Sequence, residues 1–366
     1  MAKAKQTKQI QRFATVTLAN GMKKRIAARG KTEREAIRNL EKLKAEYEAG
    51  LIVVNSNTTF DKWFEEYMRV YKVPAITESS QKDILNVINL YFMPDLKYRR
   101  LSEIKLIHLQ SCINEMSGKS YSYIQKGYTY IKDIFQKAVE NDLLIKSPAS
   151  GLIKPKAVKG TRRSLTDSEK AMFIKALPEH KYGALFGIML ACGLRPAEAR
   201  ALSIFDIDLK NQMVTIRHAL ENHTTNLKPP KTSAGNRTIP IPDWYYPILE
   251  KHLAQKRGSV VFANANGEYM SETATKRAWK SLIHKINIDN GATLYKNVVV
   301  IPVYNQEITP YYLRHTYATS LAENGVDIKT AQYLLGHANI SMTAQIYTHV
   351  TAKMIDSAKE KIKVML

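Results

Sequence analysis

Cysteine is close to absent from this sequence: Cys112 and Cys192 are the only two in 366 residues. With no CxxC pair, neither a disulfide framework nor a cysteine-based zinc site is expected, and both thiols read as ordinary buried side chains. Long apolar runs are missing too. Nothing approaches the roughly 20 residues that span a bilayer, and the opening "MAKAKQTKQIQRF" lacks the apolar core of a signal peptide. A cytoplasmic chain is therefore expected. A phosphate-binding loop is also wanting: "SGKS" at Ser117 to Ser120 looks like half of one, but the glycine required five residues before Gly118 is Ile113, so the stretch reads as a turn. Asp, Glu and His show no cluster at metal-ligand spacing, so a site needing no metal and no other cofactor is expected.

Acid is in short supply. Asp plus Glu total 33 against 55 Lys plus Arg, a formal net charge of +22, and the sequence pI is near 9.7. Such a field attracts polyanions, with nucleic acid the leading partner and an acidic membrane second. The expectation taken forward is nucleic acid and no membrane. The length suggests two or three domains, and 45% hydrophobic residues suffices for packed cores.

The first 31 residues carry nine Lys or Arg, Lys23, Lys24 and Arg25 among them, and no acid. Ala14, Val16 and Leu18 alternate before Asn20-Gly21, a hairpin signal. Thr32 with Glu35 forms a capping box, and Ala36, Leu40, Leu43 and Tyr47 follow at helical spacing until Gly50. A small basic sheet with one helix is expected over 1–52. From 58 to 152 the pattern turns helical: Phe60, Trp63, Phe64, Tyr67 and Tyr71 share one stripe, and Leu85, Ile88 and Phe92 another. Helices near Ile107 to Met116 and through Ile124, Tyr128, Ile131, Phe135 and Ala138 complete a four-helix bundle whose aromatics read as core.

Residues 153–163 then bring Lys154, Lys156, Lys159, Arg162 and Arg163 with no acid, a linker suited to tracking a phosphate backbone. The rest, 164–366, reads as one mostly helical domain. Thr166 and Glu169 make a capping box, Pro178 ends that helix, and "KYGALFGIMLAC" is a buried helix ending near Gly193. Strand signals lie between Val214 and Ile241, around the turn region "NLKPPKTSAGN". Helices resume at Pro310, Asp327 and Ser341. The fold class is thus mainly α with small β elements.

Four stretches stand out: "ACGLRPAEARAL", "PPKTSAGNRTIPIP", "TPYYLRHTYATSL" and "LLGHANISMTAQIY". In this order they resemble the tyrosine recombinase family, most closely the phage and conjugative-transposon integrases, and the likeness covers essentially the whole chain. It implies an arm-type DNA-binding module over 1–52, a core-binding bundle over 58–152 and a mixed α/β catalytic domain over 164–366. It further implies that Arg195 and Arg314 are the two catalytic arginines, Lys231 the hairpin lysine, His337 the histidine after the second arginine, Tyr347 the nucleophile and Glu198 a supporting acid. Tyr311 stands where the family usually has histidine.

The residue types suit that chemistry independently. In-line attack on a phosphodiester builds negative charge on its non-bridging oxygens, and guanidiniums clamp such oxygens with charged, bidentate hydrogen bonds. A lysine on a hairpin can protonate the leaving 5′-oxygen. A phenol with an ordinary pKa near 10 needs cationic neighbours or a base before it attacks. Tyr311 is a poor base for the same reason, although its hydroxyl can donate a hydrogen bond to the phosphate. His337 can bond the phosphate or share the proton transfer. The resulting 3′-phosphotyrosyl link would conserve bond energy and permit rejoining without ATP.

The resemblance also implies a homo-tetramer acting on double-stranded attachment-site DNA, with a directionality factor and a host DNA-bending protein as partners. Met354, Ile355, Ala358, Ile362 and Leu366 share one helical face of the tail, and docking on a neighbouring subunit is favoured over folding back. Two rivals are an architectural DNA-binding protein that has lost its chemistry through Tyr311 and a type IB topoisomerase.

Overall fold

The computed structural model describes residues 10–17, 23–48, 57–158, 160, 163–221, 224–229, 235–256, 258–348 and the single positions 355, 359 and 363. By spatial clustering the chain divides into two compact units, Met1–Gly160 and Thr161–Leu366. The division falls inside the basic 153–163 stretch.

The first unit begins with a hairpin, β1 (Ile10–Thr17) and β2 (Lys23–Gly30), paired antiparallel from Ile10 opposite Gly30 to Thr17 opposite Lys23. Its turn, Asn20-Gly21 included, lies outside the described residues. Helix α1 (Glu33–Glu48) covers one face of the hairpin, and Val16, Ile26 and Ala36 are buried there with Leu40 and Leu43 partly so. Thr32 Oγ1 accepts from the Glu35 N–H at 3.2 Å, but the Glu35 carboxylate reaches back to the Lys31 N–H at 2.7 Å, one residue earlier than a capping box demands.

The bundle consists of α2 (Phe60–Tyr67), α3 (Glu78–Tyr91), the single turn α4 (Met93–Leu96), α5 (Leu106–Asn114) and α6 (Tyr121–Glu140). A π-helical turn, Met68–Lys72, extends α2 and carries Tyr71, whose hydroxyl meets Asn141. The expected aromatics are core: Phe60 stacks on Phe64 and Phe135, and the Trp63 indole donates to the Ile134 carbonyl at 3.0 Å. Leu85 is a correction, because it is exposed. On α3 the inward stripe is Ile84, Val87, Ile88 and Tyr91, and Leu85 sits about 100° around the helix from Ile84.

The second unit opens with α7 (Asp167–Ala176), started by the expected Thr166/Glu169 box, with Glu169 N to Thr166 Oγ1 at 3.2 Å and Thr166 N to the Glu169 carboxylate at 2.8 Å. All nine residues of α8 (Gly183–Ala191) are buried, as an axis for the unit must be. A short α9 (Pro196–Arg200) follows. Strands β3 (Ile207–Asp208), β4 (Met213–Ile216) and β7 (Arg237–Pro240) form an antiparallel sheet in the order β3-β4-β7, and β5 (Ala219–Leu220) pairs with β6 (Leu227–Lys228) in between. Next come α10 (Tyr246–Ala254) and α11 (Glu272–Asp289), which the sequence reading left unassigned, and an unanticipated hairpin of β8 (Thr293–Tyr295) and β9 (Val298–Ile301). Its turn residues Lys296 and Asn297 both have positive φ, 45° and 62°, the conformation of a type I′ turn.

Three helices finish the unit: α12 (Pro310–Glu323), α13 (Ile328–Leu335) and α14 (Ile340–Tyr347). Asp327 caps α13 as expected, but α14 is capped by Asn339, whose carbonyl side chain accepts from the Ser341 N–H at 2.9 Å, so Ser341 lies inside the helix. Of the apolar tail face only Ile355 is described, and it is exposed. No helix among the described residues is long and apolar enough to cross a membrane.

Candidate active site

The C-terminus of α8 and the C-terminus of α13 create the site. Gly193, at φ 65°, turns the chain out of α8 and presents its carbonyl to Arg314 Nη1 at 2.7 Å. At the other end Gly336 (φ 61°, ψ 47°) closes α13 in a Schellman arrangement: the His337 N–H bonds Gln332 O at 3.1 Å and the Gly336 N–H bonds Tyr333 O at 2.9 Å. That leaves the last three carbonyls without helical partners. Each is taken by a different arginine. Leu334 O accepts from Arg237 Nε at 2.8 Å, Leu335 O from Arg314 Nη2, and Gly336 O from Arg195 Nη2 at 3.1 Å.

One buried carboxylate faces the three guanidiniums. Glu198 stands at the third position of α9, where it reaches back to the Arg195 N–H at 2.9 Å, to Arg195 Nη1 at 2.6 Å and to Arg237 Nη2 at 2.8 Å. Burial would raise its pKa, yet Arg237, Arg195 and Arg314 together hold it down to about 2. Three positive charges against one negative leave a formal +2 in a largely water-excluded pocket. Burial and the neighbouring arginines push Arg314 down to about 9, still charged at neutral pH. The Arg195 side chain keeps 35% of its surface exposed while Arg314 keeps 8% as a residue, so an incoming anion meets Arg195 first.

His337, directly after Gly336, is buried with Nδ1 against Thr343 Oγ1 at 2.9 Å, and no hydrogen bond holds Nε2 among the described residues. Burial, then Arg314, Arg195 and Arg237, lower its pKa to about 4 from an ordinary 6.5. It is therefore neutral at pH 7. Protonating it costs the folded state more than the unfolded one, so stability falls as pH drops from 6.5 toward 4, whereas the contribution of Glu198 is lost only below its ordinary 4.5, toward about 2. In thermal melts His337→Gln is expected to flatten the decline between pH 6.5 and 4.5, with His180 and His252, also depressed by burial, keeping a residual slope. An unchanged slope would contradict the buried neutral imidazole.

Tyr311, in the first turn of α12, is 48% exposed and acts electrostatically on Arg314 and on the buried Arg200. Tyr347, the last residue of α14, is half-buried and donates to the Val326 carbonyl at 3.0 Å. Burial and then Asp327 raise its pKa. The structure thus joins Arg195, Glu198, Arg314 and His337 in one pocket and engages the Tyr347 hydroxyl elsewhere.

Lys231 lies outside the described residues, as do Lys159 and Arg162, and the side chain of Lys24. Of the remaining basic residues, Lys23 and Lys156 are exposed, Arg25 lies over the Phe13 ring at 4.5 Å, and Lys154 bonds Gln125 at 2.8 Å. Arg163 is held by both Glu169 oxygens at 2.5 and 2.6 Å, so its charge is already answered within the protein. Among the described residues no group of His, Cys, Asp and Glu is placed to hold a metal ion.

Arg237 was missed by sequence reading. The signal was there: strand alternation puts it on the same face as Ile239 and Ile241, and an arginine on a core face demands a buried carboxylate. Gly193 makes a sharper test of the scaffold. An alanine there would need φ 65°, and its Cβ would lie 2.2 Å from the Tyr317 ring. Left-handed strain and overpacking together predict a loss of about 3 kcal/mol, so Gly193→Ala should lower the melting temperature by roughly 6–12 °C. A melt within a degree of wild type would refute the close approach.

Comparison with known proteins places the chain in a family. Residues 163–354 match the phage integrase family, and residues 59–117 match the N-terminal SAM-like domain of phage integrases. A XerC-like tyrosine recombinase of Caldanaerobacter subterraneus subsp. tengcongensis is 30% identical, over 95% of this chain and 94% of its own length. The transposase of transposon Tn916 from Enterococcus faecalis is 27% identical over 90% of this chain and 82% of its own. Among solved structures, the Tn1549 transposon integrase in complex with transposon right end DNA superposes with a TM-score of 0.68 at 22% identity, covering 84% of this chain and 100% of that one. A lambda integrase tetramer bound to a Holliday junction gives 0.61 at 18%, covering 91% of each chain.

Proposed function

This chain belongs to the phage integrase family of tyrosine recombinases, enzymes that break and rejoin DNA strands at specific sites, and we propose that the arginine pocket holds the scissile phosphate while Tyr347 attacks it. The observation that carries this reading is the formal +2 of Arg195, Arg237 and Arg314 against Glu198, preorganised on three successive carbonyls. Fixed donors of that kind stabilise charge that develops in the transition state without reorganising at the moment of reaction.

Tyr347 Oη forms a bond to phosphorus, and the bond from phosphorus to the 5′-oxygen breaks. The product is a 3′-phosphotyrosyl link and a 5′-hydroxyl, which receives its proton from Lys231. His337 takes the phenolic proton at Nε2. Burial and then the arginines depress its pKa, and a phosphate seated on the arginines offsets their part of that depression, which raises its basicity on binding. Tyr311 donates a hydrogen bond to a phosphate oxygen. The reverse reaction with a new 5′-hydroxyl rejoins the strand, so neither a metal nor ATP enters the cycle.

For this to happen the Tyr347 hydroxyl leaves Val326. The hydrogen bond it gives up is worth about 0.5–1.5 kcal/mol, which DNA binding can readily offset. In the same reading residues 1–52 bind arm-type DNA, 58–152 and 164–366 take core-site DNA with 153–163 crossing the backbone, and the tail docks on a neighbour in a tetramer. The chain would integrate or excise a mobile element, aided by a directionality factor and a host bending protein. The Tn1549 and lambda integrase complexes, with transposon DNA and a Holliday junction, support DNA as the partner.

Trapping tests this. Incubated with a nicked attachment-site duplex, the protein is expected to form a complex that survives boiling in detergent. An architectural DNA binder yields none, and a type IB topoisomerase relaxes any supercoiled plasmid without a specific site.

A further inference from the structure

Arg237 has no surface to offer a ligand: its side chain is 0% exposed. Nevertheless it is the most connected of the three arginines. Nε donates to Leu334 O at 2.8 Å, Nη1 to Gly235 O at 3.0 Å and to Glu198 Oε1 at 3.4 Å, and Nη2 to Glu198 Oε2 at 2.8 Å. Its backbone is the first residue of β7, paired with Ile216 of β4, six positions after Lys231. One planar guanidinium therefore ties the strand that follows Lys231 to α9 and to the end of α13.

We propose that Arg237 is a positioning residue for the scissile-phosphate pocket, acting through Glu198 and the α13 terminus on Arg195 and Arg314 without touching DNA. This rests on the recombinase reading above.

Glu198 divides its lone pairs between two arginines. Arg237 Nη2 occupies Oε2 beside the Arg195 N–H, and Oε1, with Arg237 Nη1 at 3.4 Å, is the oxygen that Arg195 Nη1 binds at 2.6 Å. Arg195 is thereby gripped at one edge only, and its Nη2 is directed to Gly336 O. Without Arg237 the carboxylate would be free to turn both oxygens to Arg195 in the fork-to-fork geometry such pairs favour, which withdraws that guanidinium from an incoming phosphate. The Leu334 carbonyl would lose its donor too, loosening the turn that aligns Leu335 O and Gly336 O beneath the other two arginines. Lysine can substitute only in part, because a compact ammonium lacks the guanidinium fork that reaches Leu334 O, Gly235 O and Glu198 together.

Single-turnover cleavage of a nicked attachment-site duplex tests this, run with an ordinary scissile phosphate and with a neutral methylphosphonate at that position. Arg237→Met should cleave the phosphate at least about 100-fold more slowly than wild type, with DNA affinity within about threefold. On the methylphosphonate, which needs less cationic clamping, the deficit should shrink to under about 10-fold. Arg237→Lys should show the same contrast with a smaller loss, and it stands in if the Met variant does not fold. Equal losses on the two substrates, or no loss on either, would overturn the proposal, since a general loosening of the fold does not distinguish a charged from a neutral phosphate. Wild type that forms no covalent complex on either substrate would instead sink the recombinase reading on which it rests.

Discussion

Tyr347→Phe is expected to abolish the covalent protein–DNA complex while leaving DNA affinity within about threefold of wild type, because the change removes one nucleophilic oxygen and nothing that grips phosphate. In the free protein that oxygen donates to Val326 O at 3.0 Å from a half-buried position. Stability should therefore move by no more than about 1 kcal/mol. Gel-shift binding, a thermal melt and detergent-resistant complex formation on one preparation separate the cases. A covalent complex that persists in the Phe variant would mean that another residue is the nucleophile. Loss of DNA binding would mean that Tyr347 serves the fold and that the hydroxyl at Val326 is its working position.

Where that hydroxyl points was not legible in the sequence, and the reason is physical. Position after a Gly-His turn places a tyrosine on α14, but its direction depends on the Val326 carbonyl and Asp327, which belong to the loop opening α13. Arg195 and Glu198 are the opposite case. Their places came from the resemblance of the "GLRPAE" stretch to the family's motif, and their contact at 2.6 Å is local, with glutamate three residues after arginine at the start of α9. The bundle core was equally legible because aromatic residues at helical spacing bury whatever their neighbours are, whereas the phase error at Leu85 arose on a helix with apolar residues on adjoining positions. Arg237 was hidden by the habit of reading charge as surface. The β8–β9 hairpin was passed over because its strands do not alternate: Tyr295, Val298, Val300 and Ile301 are all exposed.

The two sequence-recognised arginines differ in burial, and this predicts that they fail differently. Arg314→Ala leaves the Gly193 and Leu335 carbonyls without their donor and takes a neighbouring charge from Glu198. Removing a partner from such a buried ionic network costs about 3–5 kcal/mol, and loss of a preorganised donor to the phosphate should slow cleavage about 1,000-fold. Arg195→Ala should slow cleavage comparably, yet its side chain is 35% exposed and Glu198 keeps Arg237, so the stability loss should be about 1 kcal/mol. Arg314→Lys should recover part of the stability and little of the rate, since an ammonium reaches one carbonyl but does not bridge two while facing a phosphate. Denaturant melts alongside single-turnover cleavage decide the matter. If Arg195→Ala proved the more destabilising, the buried arginine would not be the anchor of the pocket. If both variants cleaved at wild-type rates, the fixed positive charge would have no part in the chemistry.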